Sequence, residues 1–75
     1  MTRKQIEAFT FLGTGNLNDS YYYDNGKIYT KYSIYLDEVN DISYQILNEA
    51  PLYRCIKNSK FQVNTFENWI RLQQK

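Results

Sequence analysis

Cys55 is the only thiol in the chain, and a cysteine attacks as its thiolate, helped by a neighbouring base. The usual base is histidine, and the sequence has none. Cys55 therefore reads as a small buried hydrophobe. With no histidine and one cysteine there is no set of zinc or haem ligands, and no cofactor is expected. The carboxylates Asp19, Asp24, Asp37, Glu38 and Asp41 crowd one stretch, but turns and a helix start account for them. A paired-carboxylate hydrolase would also need an enclosing cleft. The Gly13-Thr14-Gly15 run lacks the third glycine and the following helix of a phosphate-binding loop, so it reads as a connection. The sequence therefore points away from an enzyme.

Recognition chemistry is better represented. Six of the eight tyrosines lie between Ser20 and Glu38, interleaved with Lys27 and Lys31. Tyrosine gives large contact area at low entropy cost, which suits an interface. The same residues could stack single-stranded bases while the lysines meet phosphates. Arg54, Lys57 and Lys60 form a second basic group around a turn. Lysines there also guard strand edges against unwanted pairing.

Something must position these side chains. Asn25-Gly26 between two β-prone runs is a strong signal for a two-residue hairpin loop. That loop pairs Asp24 with Lys27, Tyr23 with Ile28, Tyr22 with Tyr29 and Tyr21 with Thr30. Alternation then divides the second strand into two faces. Ile28, Thr30, Tyr32, Ile34 and Leu36, joined by Tyr21 and Tyr23, are expected to face the core. Lys27, Tyr29, Lys31, Ser33 and Tyr35, joined by Tyr22, are expected on the face away from the helices. Tyr22, Tyr29, Tyr35, Lys27 and Lys31 are thus the candidate partner-binding residues.

Around that hairpin the pattern predicts an α+β domain over residues 1–75: a small antiparallel sheet of three to five strands with helices on one face. A strand is expected over Ala8–Leu12, then a loop through "GTGNLND". From about 38 to 50, Val39, Ile42, Ile46, Leu47 and Ala50 recur at helical spacing. Asn40, Asp41, Tyr44, Gln45, Asn48 and Glu49 fall opposite. Asp37 would cap that helix and Pro51 end it. Leu52–Ile56 and Phe61–Val63 read as further strands. Asn64 and Glu67 have capping-box spacing before a last helix, about 65–74, that would bury Phe66, Trp69 and Ile70.

Whole-chain properties narrow the setting. Seventy-five residues with a net charge of +1 exert little pull on nucleic acid or a membrane surface. No apolar run is long enough to span a bilayer, and "MTRKQIEAF" lacks a signal-peptide core. The single cysteine suits the reducing cytoplasm. Abundant Asn, Lys, Tyr and Ile beside scarce Gly, Ala, Arg and Pro point to an AT-rich genome, such as a bacterium, its phage or a plasmid. A chain this short buries only about 60% of its unfolded surface and gains from further burial. The expectation is a small non-enzymatic interaction module, regulatory or inhibitory, that binds a protein partner or itself as a homodimer. A single-stranded nucleic-acid binder is the alternative, ranked second by the near-neutral charge.

Overall fold

The computed structural model describes residues 1–22, 26–57 and 68–74, with the backbone alone for 18–22. In chain order these residues form α1 (Arg3–Glu7), β1 (Thr10–Tyr22), β2 (Ile28–Asp37), β3 (Ile42–Leu47), β4 (Leu52–Lys57) and β5 (Ile70–Arg71). The strands lie side by side in that same order, β1-β2-β3-β4-β5, each antiparallel to the next. Among the described residues the architecture is a five-stranded meander with one short helix. It is not the α+β arrangement of two helices packed on a sheet.

The expected helix over 38–50 is a turn followed by β3. Asp37 does cap, as a helix N-cap would: its Oδ1 accepts from the amides of Val39 at 3.1 Å and Asn40 at 3.2 Å. The Asn40 side chain donates to Oδ2 at 2.9 Å. The chain then bends back, because Asp41 takes a left-handed φ of 57°, a conformation aspartate tolerates and a helix does not continue. Beyond the turn, Ile42, Tyr44 and Ile46 alternate with Ser43, Gln45 and Leu47, and all but Ile42 are buried. Val39, expected on the buried stripe, is 92% exposed. Pro51 lies in the β3–β4 connection, where its carbonyl accepts from Leu72 N at 2.7 Å.

The described part of the expected C-terminal helix, residues 68–74, is not helical, while residues 65–67, with Phe66, lie outside the described residues. Ile70 pairs opposite Tyr53 and Arg71 opposite Leu52. The expected strand at 61–63 and the capping pair Asn64 and Glu67 lie outside the described residues, as do Asn25 and Lys60. Gly26 has φ +79°, which suits the expected turn, but the hairpin register is shifted by one residue. Tyr22 pairs with Ile28 and Tyr21 with Tyr29.

Helix α1 is set by "TRKQ". Thr2 Oγ1 accepts from Gln5 N at 3.2 Å, and Gln5 Oε1 accepts from Thr2 N at 2.8 Å. This is a reciprocal capping box. Ile6 of α1 is fully buried among Tyr44, Ile46, Tyr53 and Leu72, with Met1, Phe9, Tyr35, Ile42 and Cys55 around them. The register places the sheet members of this cluster on one face: Tyr35 opposes Tyr44, Tyr44 opposes Cys55, and Ile46 opposes Tyr53. A second cluster joins Tyr29, Leu47, Ala50 and Leu52 to Leu17 and Trp69. The face of β2 that carries Tyr35, expected to point away from the helix layer, is therefore the one α1 covers. Ile28, expected in the core, is half exposed.

Candidate functional site

Of the described residues singled out by sequence, Tyr29 and Lys31 line one shallow pocket with Asn48 and Glu49, but the tyrosine rings do not form an open face. Tyr29 is only 9% exposed, within the second cluster. Tyr35 packs against the first cluster and meets Phe11 at a ring distance of 5.3 Å. Lys27 and Lys31 are exposed, and Tyr22 is described by its backbone alone. Arg54 and Lys57 do not form one patch, since alternation along β4 sends them to opposite faces. Arg54 is held by Gln45, Nε to Oε1 at 2.6 Å, and its guanidinium lies 4.4 Å from the Trp69 ring centroid. Lys57 is exposed. Cys55 is half-buried opposite Tyr44.

Hydrogen bonding by Asn40 holds the Asp37 carboxyl below its usual value, ahead of the opposing effect of desolvation. Burial pushes the phenols of Tyr44 and Tyr53 up. Both therefore stay neutral at physiological pH and pack as rings. Phe9 stacks on Tyr44 at 5.3 Å, and Tyr44 meets Tyr53 at 6.1 Å. No group of three His, Cys, Asp or Glu among the described residues could hold a metal.

What the fold displays is an edge. β1 is thirteen residues long, pairs with β2 on one side, and has no strand on its other side among the described residues. Phe11 is 56% and Leu12 53% exposed. The register slips between Phe11 and Gly13, so Leu12 is the extra residue of a bulge, and Gly13 takes φ +144°. Bulges are frequent at sheet edges, where they re-aim side chains. A second irregularity separates Asn16 from Tyr21, leaving Thr10–Asn16 as the displayed stretch.

The two ends of that stretch differ. At the first, Thr10 pairs with Leu36, and its hydroxyl donates to Glu38 Oε1 at 3.4 Å. This ties the strand to the Asp37-braced turn. At the other, Gly15 pairs with Tyr32 and Asn16 with Lys31. The Tyr32 hydroxyl lies 2.7 Å from where a Cβ on Gly15 would stand, so the phenol occupies the space the glycine leaves. Beside it, Thr14, Gly15, Asn16, Lys31 and Asn48 line a shallow polar cleft of about 380 Å³. Its floor is fixed by Asn48 N donating to Lys31 O at 3.1 Å and Ser33 Oγ donating to Asn48 Oδ1 at 2.8 Å.

Sequence reasoning passed over this edge because "GTGNLND" looked like a loop. The available signal was a glycine inside a β-prone run, which marks a bulge as readily as a turn. No helix among the described residues is long and apolar enough to cross a membrane. Comparison with protein-family models, with curated proteins and with solved structures finds no match for this chain.

Proposed function

We propose that this chain is a non-enzymatic interaction module that engages a partner protein by strand addition along the outer edge of β1, which no described strand covers. The observation that supports it is the uncharged Thr10–Asn16 segment at a sheet edge, with Phe11 and Leu12 more than half exposed. Edge strands are usually blunted by lysine, proline, shortness or a bulge. This one has neither residue and is the longest of the described strands, so the Leu12 bulge is what interrupts it. Seven residues span roughly 23 Å at the rise of an extended strand. Main-chain hydrogen bonds would supply affinity, and the two apolar side chains specificity. A regulatory or inhibitory role in the cytoplasm of an AT-rich host, for a phage or other mobile element, fits the composition. The nucleic-acid reading is weaker: it needs rings open beside Lys27 and Lys31, and Tyr29 is buried.

The test is site-specific photo-crosslinking in the cells that express the protein. A photoreactive residue at position 12 is expected to capture a protein partner, and the same residue at position 57 is not. Adding Phe11→Lys should abolish the adduct. Equal capture at both positions, or capture at 57 alone, would overturn the edge reading.

A further inference from the structure

The geometry points to a second copy of this chain as the occupant of the β1 edge, docked antiparallel about a two-fold axis at Gly13; this rests on the edge reading above. Thr10–Asn16 carries no charge, so pairing it with itself brings no like charges together along the strand. The bulge sets the register. With Leu12 as the extra residue, Gly13 meets its own counterpart, Phe11 meets the partner's Thr14, and Thr10 meets the partner's Gly15. Each pair then shares a face. Phe11 and Thr14 lie on the side of their β2 partners Tyr35 and Ser33, and Thr10 and Gly15 on the side of Leu36 and Tyr32. The two bulged Leu12 residues flank the axis.

This register joins complementary groups at each end. Cβ positions directly opposed in antiparallel strands lie about 5 Å apart. The Tyr32 hydroxyl already stands beside the Cβ position of Gly15. Pairing Thr10 with the partner's Gly15 therefore brings the partner's Tyr32 hydroxyl to the Thr10 hydroxyl and the Glu38 carboxylate that accepts from it. Glu38 is exposed and in no ion pair among the described residues, and the Tyr32 hydroxyl has no hydrogen-bond partner there. A phenol donating to a carboxylate is a charge-assisted hydrogen bond, and two-fold symmetry makes it twice.

Sedimentation equilibrium over a wide concentration range tests this, with folding checked by near-ultraviolet circular dichroism. The wild type is expected to dimerise reversibly. Tyr32→Phe, which removes two symmetric hydrogen bonds, should raise the dissociation constant by at least about tenfold, and Glu38→Gln, which keeps an acceptor but takes the charge from both bonds, should raise it by less. Leu12→Lys should give a monomer, and Lys57→Gln should match the wild type. A wild type that stays monomeric at millimolar concentration would overturn the second copy as occupant, while a position-12 crosslink to a foreign protein would still uphold the edge reading. A dimer indifferent to both Leu12→Lys and Tyr32→Phe would place self-association elsewhere and overturn the inference.

Discussion

Asp37 shows how one side chain serves two different structures. Its carboxylate gathers two backbone amides and the Asn40 side chain into the β2–β3 turn. The residue is buried as a whole, yet hydrogen bonding outweighs desolvation and its pKa is lowered. The unfolded chain then takes up the proton more readily than the folded one. The stability this group contributes is fully present above its ordinary value of 3.8 and is lost as pH falls through the folded value. Thermal melts of the wild type should therefore weaken as pH falls below the ordinary value of 3.8 and through the lower folded value. Asp37→Asn should melt lower than wild type at neutral pH and show a shallower acid limb. An acid limb unchanged by the substitution would mean that other carboxylates carry it. The sequence marked Asp37 as a cap, and that was legible because a short acceptor before free amides serves a helix and a turn alike. The residues beyond the cap choose between the two, and here the left-handed Asp41 turns the chain back.

At the scale of elements, β3 carries the main lesson. "ISYQIL" has Ile42, Ile46 and Leu47 where a helical stripe would fall, and also Ile42, Tyr44 and Ile46 at strand alternation. Six residues cannot separate the two periods, and Val39 and Ala50 tipped the reading toward a helix. β3 is buried on both faces, since Ser43, Tyr44, Gln45, Ile46 and Leu47 are all inside, and such a strand reads as a run rather than a clean alternation. The strand character of β2 and β4 was legible because their runs are rich in aromatic and β-branched residues. The side of β2 that faces the core was not, because α1 and its "TRKQ" box went unread. The two readings separate by substitution. Gln45→Asp and Ile46→Asp should both cost several kcal/mol, of the order of the total stability of roughly 4–11 kcal/mol for a chain this size. Val39→Asp should be nearly silent. Urea unfolding of the three variants gives the comparison, and a silent Gln45→Asp beside a damaging Val39→Asp would restore the helix.

On the scale of the whole molecule, the fold is closed by its ends. A five-residue helix has too few hydrogen bonds to persist alone, so α1 depends on what holds it. Three tethers do so. Arg3 donates from one guanidinium nitrogen to the carbonyls of Leu47 and Ala50, each at 3.1 Å, pinning α1 to the β3–β4 connection. Gln73 N donates to Met1 O at 2.8 Å, and Thr2 and Gln73 form a parallel bridge. Leu72 is buried against Ile6 in the main cluster while its amide bonds Pro51 O. Leu72 thus joins α1, the β3–β4 connection and the sheet face beneath them. Leu72→Ala should cost about 2–5 kcal/mol, the usual range for such a truncation in a core. It should also loosen α1, because Ile6 loses part of its cover. Hydrogen exchange at Ile6, Ala8 and Phe9, whose amides bond Thr2 O, Lys4 O and Ile6 O, should quicken together with that of β3 if the ends and the sheet unfold as one unit. Exchange that quickens only in α1, with β3 unchanged, would show that the sheet stands without its clasp and that the helix is an accessory to it.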